Sequence, residues 1–163
     1  MKKLIMSYKE ILIYIGIIVF LVFIDQISKY YVFKYFDVYR SYKCIPGVID
    51  FNLLYNEGAI FGILEGKQTF FFIVTIIGLG LFGFMLKDGN LIENPFYTFG
   101  LLLIIGGTIG NFIDRLWFGK VRDFIDFAFF NFASFNFADM CMVVGVSMIL
   151  IDLLFGGLPE KWK

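Results

Sequence analysis

Four long, mostly apolar segments constrain the fold of this chain more than any other feature. They lie at residues 11–33, 68–86, 96–116 and 136–155. A helix rises 1.5 Å per residue and the hydrocarbon core of a bilayer is about 30 Å thick, so about 20 apolar residues cross it. We therefore predict an all-α membrane protein, a four-transmembrane-helix bundle that forms a single domain over residues 1–163.

The composition agrees with a membrane protein and removes several chemistries. The chain is 60% hydrophobic and 17% charged, whereas soluble proteins average roughly half apolar and a quarter charged. Its 14 basic and 14 acidic residues balance, which gives no reason to expect a nucleic-acid partner. It has no His, and Cys44 and Cys141 form no CxxC pair. The sequence therefore lacks the usual zinc-binding patterns, and it cannot form a Ser-His or Cys-His catalytic pair. We predict no metal and no cofactor.

The basic residues before the first span set the predicted orientation. Lys2, Lys3 and Lys9 precede it, and such residues favour a cytoplasmic N-terminus. No small-residue cleavage site follows the apolar run, so we expect a retained span rather than a removed signal peptide. Four crossings then place both termini in the cytoplasm. The connections at 37–66 and 117–135 become extracytoplasmic.

Polar residues inside the spans collect at the extracytoplasmic end. Asp25 and Lys29 are spaced i and i+4 near the end of span one, which is typical of a structural ion pair. Asn111, Asp114 and Arg115 project from one face near the end of span three. An interfacial polar cap with a snorkelling Arg would explain them. Ionisable groups in spans usually mark function, however, so a site shaped by these residues is the alternative.

Two acidic residues from separate segments can meet at that end. Asp123 follows span three, and Asp139 opens span four. A solvated loop would account for Asp123 and its neighbour Asp126, and a capping box with Asn136 would account for Asp139. If the two carboxylates meet, they share one proton: one carboxylate takes a proton from water while the other protonates a peptide carbonyl. Aspartic proteases are the standard example of such a pair.

The connection after span one contains a second type of structure. Residues 48–56 partly alternate apolar and polar side chains after a turn signal at Pro46 and Gly47. This pattern predicts a short strand or hairpin on the membrane surface, a small extracytoplasmic β-rich segment.

Glycines in spans two and three suggest close helix packing. Gly106 and Gly110 form a G-x-x-x-G pair, and Gly78, Gly80 and Gly83 thin one wall of span two. Small residues at such spacings let helix backbones approach closely.

Five segments, read in order, resemble the lipoprotein signal peptidase family. They are Asp25-Gln-Ile-Ser-Lys29-Tyr, Asn56-Glu-Gly58-Ala-Ile60-Phe-Gly62, Gly107-Thr-Ile-Gly110-Asn111-Phe-Ile-Asp114-Arg115, Val121-Arg-Asp123-Phe-Ile-Asp126 and Phe135-Asn136-Phe-Ala138-Asp139. Each motif is weak alone, but together they span most of the chain and are highly specific.

The resemblance implies a function. The family is a four-span aspartic signal peptidase II of the bacterial plasma membrane that cleaves diacylglyceryl-modified prolipoproteins before the lipidated Cys. Its catalytic aspartates correspond to Asp123 and Asp139. Its supporting residues correspond to Asp25, Lys29, Asn56, Gly58, Asn111, Asp114, Arg115 and Asn136. The implied partners are prolipoproteins and membrane lipids.

One position departs from the family pattern. Where the family usually has a second Ala after N-x-G-A, this chain has Ile60. The larger side chain is expected to reshape the substrate groove. Cys44 lies in no lipobox, and we interpret it as incidental.

Three other functions remain as alternatives. A serine/lysine protease would use a residue such as Ser134 with a nearby Lys. An ion-coupled carrier would place its site near the bilayer midplane and often show inverted repeats, and the sequence shows neither. A non-enzymatic membrane scaffold would need none of the acidic residues.

Overall fold

The computed structural model describes residues 6–58, 66–155 and Pro159. In chain order its elements are α1 (Tyr8–Tyr35), β1 (Ser41–Ile45), β2 (Ile49–Asn56), α2 (Gln68–Leu86), α3 (Pro95–Phe118), β3 (Val121–Phe127) and α4 (Phe137–Phe155). All four helices are long and apolar enough to cross a membrane, which confirms the predicted fold class. Each observed helix end lies within three residues of the predicted one.

Local signals fix several helix ends. Ser7 and Glu10 form a capping box at the start of α1, in which Glu10 N donates to Ser7 Oγ and Ser7 N donates to Glu10 Oε2. Pro95 begins α3, where its missing N–H costs nothing. Gly119 ends α3 in the left-handed region with φ of 70°, a conformation that glycine adopts without strain.

Helix α3 lies at the centre of the bundle. Its apolar residues from Leu101 to Ile105 are all buried, and it packs against each of the other three helices. The other helices instead expose apolar side chains such as Phe20 on α1, Ile77 on α2 and Val143 on α4. In a bilayer these side chains face lipid, so the protein buries one helix and presents three.

Glycines of α3 permit this close packing. A Cβ at Gly106 would lie 2.9 Å from Leu21 of α1, and one at Gly100 would lie 2.8 Å from the Gly145 carbonyl oxygen of α4. The same expectation is wrong for α2. Apart from the nearby backbone of α2 itself, no atom of the described residues comes within 4 Å of a Cβ built at Gly80 or Gly83, and both glycines are exposed.

A three-stranded antiparallel sheet, ordered β1-β2-β3, lies at the end of the bundle where α1 ends. The predicted hairpin is confirmed: β1 pairs with β2 across a turn in which Gly47 has φ of 76°. Strand β3 was not expected, since its residues were assigned to a connection. It pairs with β2 in a register that sets Asp123 opposite Leu54.

Candidate active site

The polar residues at this end of the bundle form one buried hydrogen-bonded network. The side chains come from α1, β2, α3, β3 and α4. Its fully buried members are Asp25, Lys29, Asn111, Asp114, Asp123 and Asn136, and its half-buried members are Asn56, Arg115 and Asp139. Buried polar groups are costly unless they are paired, so the contacts of each member define its role.

Asp123 is held by two amide side chains from different elements. Asn56 Nδ2, at the end of β2, donates to Asp123 Oδ2 at 2.9 Å, and Asn136 Nδ2 donates to Asp123 Oδ1 at 2.7 Å. Only 2% of Asp123 is exposed. The expectation that a solvated loop would explain this acid is therefore wrong, because the strand carries it into the interior.

Asp139 has two roles at once. It forms the capping box of α4 with Asn136, in which Asn136 N donates to Asp139 Oδ2 at 3.0 Å and Asp139 N donates to Asn136 Oδ1 at 3.1 Å. Its other oxygen, Oδ1, accepts from Asn111 Nδ2 at 2.8 Å. The cap and the site, which the sequence presented as alternatives, coexist in one side chain.

The amides of Asn111 and Asn136 connect the two carboxylates. Asn136 Nδ2 donates to Asn111 Oδ1 at 3.0 Å as well as to Asp123, while Asn111 donates to Asp139. Burial raises the pKa of Asp123 to about 7, and the negative charge of Asp139 contributes to that increase. The two carboxylates are therefore coupled both by this hydrogen-bonded link and by their charge.

Lys29 holds the helices around this pair. Its Nζ donates to Asp25 Oδ2 at 2.8 Å and to Asn111 Oδ1 at 3.0 Å, and the side chain has no exposed surface. The predicted ion pair with Asp25 is confirmed. Asp25 Oδ1 in turn accepts from the backbone N–H of Ala138 at 3.0 Å. The pair therefore fixes α1 to the first turn of α4.

Asp114 serves a partner that sequence reasoning missed. Arg122 Nη2 donates to Asp114 Oδ1 at 2.8 Å, and Arg122 N and Nε both donate to Asp114 Oδ2. Gln26 joins the group: it accepts from Arg122 Nη2 and donates to Asp114 Oδ1. Both residues lie inside quoted motifs, but only the folded chain brings them together.

Arg115 and Gly58 border the site on the side of β2. Arg115 Nη2 contacts the Gly58 carbonyl oxygen at 3.4 Å, and the guanidinium stacks on the Phe71 ring of α2. Gly58 N donates to Asn56 Oδ1 at 2.9 Å, which orients the amide that binds Asp123. Ile60 lies outside the described residues.

A cavity of about 540 Å³ opens beside the network. Its polar lining includes Asp123, Asp139, Asn56, Asn111 and Arg115. Its apolar walls come from β3, from α4 and from the segment between them. Both carboxylates thus face one space large enough for part of a peptide and a water molecule. Among the described residues, no group of three or more His, Cys, Asp or Glu is arranged to hold a metal ion.

The chain has clear relatives among known sequences. The family model described as Signal peptidase (SPase) II matches residues 17–155. A lipoprotein signal peptidase of Lactiplantibacillus plantarum is 42% identical over 91% of this chain and 99% of its own length. One from Caldanaerobacter subterraneus subsp. tengcongensis is 42% identical over 88% and 97%, and one from Staphylococcus aureus (strain JH9) is 43% identical over 90% and 91%.

Solved structures agree at the level of the fold. A bacterial membrane enzyme determined by the in meso method at 2.3 Å resolution superposes with a TM-score of 0.79 at 38% identity, covering 92% of each chain. A second, at 1.9 Å, gives 0.75 at 39% identity, covering 86% of this chain and 92% of the other.

Proposed function

Because the chain belongs to the signal peptidase II family, we propose that it is an aspartic endopeptidase that removes signal peptides from diacylglyceryl-modified bacterial prolipoproteins. Cleavage occurs before the lipidated Cys. The enzyme acts as one domain in the bacterial plasma membrane, with both termini cytoplasmic and the site at the extracytoplasmic face.

The main support is that Asp123 and Asp139, from different elements, border the same cavity and are joined through two amides. Sharing one proton, the pair hydrolyses the scissile peptide bond with a water molecule. The ionised carboxylate removes a proton from water as the oxygen attacks the carbonyl carbon, and the protonated one donates to the carbonyl oxygen. The C–N bond of the tetrahedral gem-diol then breaks: the leaving nitrogen takes the proton that came from water, and one hydroxyl returns its proton to the other carboxylate. The carboxylic acid product forms, and the pair again holds one proton.

The remaining polar residues hold this pair in place. Lys29, Asn111 and Asn136 orient the carboxylates, while Asp25 and Asp114 anchor the helices and β3. Arg115 and the carbonyl of Gly58 border the cavity where a peptide backbone enters. Their role is to preserve geometry, since a catalytic pair loses rate when its members shift.

The substrate's lipid supplies affinity. The cavity wall on α4 includes Met140, Val143 and Val144, which are also exposed on the surface of the bundle, so the cavity continues onto the lipid-facing side. Acyl chains lie along this apolar surface and contribute about 0.8 kcal/mol per buried CH₂. Specificity therefore comes mainly from the lipid rather than from the peptide sequence.

Cleavage of a diacylglyceryl-modified precursor by the purified protein tests the mechanism. Asp123→Asn and Asp139→Asn should each reduce kcat by about a thousandfold or more, because each removes one half of the acid–base pair. Asp126→Asn is the matched control, since Asp126 lies three residues along β3 and outside the cavity lining. Full activity in either catalytic variant would refute the aspartic mechanism.

Two further arms separate the alternatives. An unmodified precursor should be cut poorly compared with the lipid-modified form, and equal cleavage of both would refute the lipid-based specificity. Ser134 also borders the cavity, so Ser134→Ala tests a serine mechanism directly. Its contact is a hydrogen bond from Asn52, which does not activate a hydroxyl as a base would, and we expect normal activity.

A further inference from the structure

We propose that Arg122 is a positioning residue: the clamp that it forms with Asp114 and Gln26 fixes the place of Asp123 relative to Asp139. This inference rests on the proposed function of the two aspartates. Arg122 does not border the cavity, so it acts on the reaction only through its neighbour in β3.

The contacts of Arg122 hold its guanidinium and its backbone N–H against Asp114 and Gln26. Three of its nitrogens, N, Nε and Nη2, donate to the two oxygens of Asp114 at 2.9, 3.2 and 2.8 Å. Nη2 also donates to Gln26 Oε1 at 3.0 Å, and the guanidinium stacks on the Phe118 ring. Arg122 is only 7% exposed. A planar guanidinium that binds a carboxylate through two nitrogens has a fixed orientation, unlike a Lys ammonium.

The clamp acts on Asp123 because the two residues are adjacent in one strand. Successive side chains of a strand point to opposite faces, so Arg122 can bind α3 and α1 while Asp123 faces the cavity. The backbone N–H of Arg122 is itself bound to Asp114, which fixes the main chain immediately before Asp123. Asp123 also pairs with Leu54 of β2, and the next residue, Phe124, donates its backbone N–H to the Phe135 carbonyl oxygen at 3.0 Å. The carboxylate itself is held by Asn56 and Asn136.

The same network also reaches the second carboxylate. Gln26 Nε2 donates to Asp25 Oδ2 at 2.9 Å, and Asp25 Oδ1 binds the backbone of Ala138, the residue before Asp139. Arg122 and Gln26 therefore connect the backbone next to one catalytic residue with the backbone next to the other. A shift of either strand or helix would change the separation of the pair.

A role through position and a role through charge predict opposite pH effects. The charged groups of the packed helices that act on Asp123 are Lys29 on α1, Arg115 on α3 and Asp139 on α4. Arg122 precedes Asp123 on the same strand. Loss of the Arg122 charge alone would raise the pKa of Asp123, because a nearby positive charge stabilises a carboxylate. If Arg122 instead holds Asp123 in place, its loss lets Asp123 move away from Asp139 into a more hydrated position. That movement would lower the pKa of Asp123.

The test compares Arg122→Gln and Arg122→Lys with Arg40→Gln, in which an exposed Arg loses its surface ion pair with Asp37. We expect Arg122→Gln to lower kcat about tenfold or more with KM nearly unchanged, and to shift the alkaline limb of the kcat profile to lower pH. Arg122→Lys keeps the charge but not the two-nitrogen contact, so it should remain impaired. Arg40→Gln should match the wild type.

Gln26→Met keeps the Arg122–Asp114 pair but removes the hydrogen bond from Arg122 to α1. It therefore tests the positioning role if Arg122→Gln fails to fold. We expect a smaller effect in the same direction. A shift of the alkaline limb to higher pH, with rescue by Lys, would overturn the positioning role, as would a wild-type profile in Gln26→Met and Arg122→Gln. If the wild type does not cleave, or Asp123→Asn is active, the proposed function fails instead.

Discussion

Burial of the Asp123 side chain disfavours its ionised form. Burial and the charge of Asp139 raise the pKa of Asp123, whereas the bonds from Asn56 and Asn136 lower it. Burial has the larger effect, and the resulting pKa is about 7. The site therefore contains a carboxyl group that exchanges its proton near neutral pH, which suits acid–base catalysis.

This pKa predicts how stability depends on pH. The ordinary pKa of Asp is 3.8 and that of folded Asp123 is about 7, so between these values the folded protein keeps a proton that the unfolded chain has lost. Stability then decreases as pH rises through this window, and the loss is complete above it. Asp123→Asn does not titrate. Its stability relative to the wild type should increase from pH 4 to pH 7 by on the order of a few kcal/mol and then level off.

Thermal unfolding in detergent or nanodiscs, at several pH values, measures this difference. Ser134→Ala serves as the control. Ser134 borders the same cavity but has no ionisable group, so the stability difference from the wild type should not change over the same window. A stability difference for Asp123→Asn that shrinks as pH rises would contradict the raised pKa.

Sequence reasoning named most residues of the buried polar network but not all of their connections. Asp25 with Lys29, and Asn136 with Asp139, are close in sequence, so helix geometry alone predicts their contacts. Arg122 and Asp114 are joined across the end of α3 and the start of β3. Such a contact depends on how two elements pack, which a spacing pattern does not encode.

At the scale of elements, the packing of α3 against α4 depends on two facing glycines. A Cβ at Gly145 would lie 2.5 Å from the Gly100 carbonyl oxygen, and backbone atoms cannot move aside as flexible side chains do. Gly145→Ala should therefore separate the helices and lower stability by about 1–3 kcal/mol. Because α4 carries Asp139, activity should fall as well.

Gly83→Ala provides the matched control for that change. Gly83 also lies within a spanning helix, but nothing in the described chain lies within 4 Å of a Cβ at that position. The stability of Gly83→Ala should equal or slightly exceed that of the wild type, because Ala has a higher helix propensity than Gly. Equal losses in both variants, measured by thermal unfolding in the same detergent, would refute the role of the α3–α4 contact.

The elements themselves were predictable to different degrees. Helix spans follow from hydropathy because the bilayer fixes their length, and the hairpin of β1 and β2 follows from its turn residues. Strand β3 was not predictable in this way, since charged residues such as Arg122 and Asp123 are typical of solvated loops. Their burial is compensated by Asp114, Asn56 and Asn136, which come from other elements.

At the scale of the whole molecule, the chemistry is concentrated at one end of the bundle. The sheet and the cavity beside Asp123 and Asp139 lie where α1 ends and α4 begins, and the apolar faces of three helices are exposed on the outside of the bundle. The parity of the spans determines that these parts share one side. Which side of the membrane they face depends on orientation, which the basic N-terminal residues predict.

The native cysteines can measure that orientation without engineered sites. Cys44 is exposed on β1, and Cys141 is buried in α4. If the site faces outward, a membrane-impermeant maleimide should label Cys44 in intact protoplasts but not in sealed inside-out vesicles. Cys44→Ser should abolish the signal, since a buried thiol inside the bundle does not meet the reagent. Labelling that appears only in inside-out vesicles would place the sheet in the cytoplasm, and a prolipoprotein's lipidated Cys at the outer surface could then not reach the site.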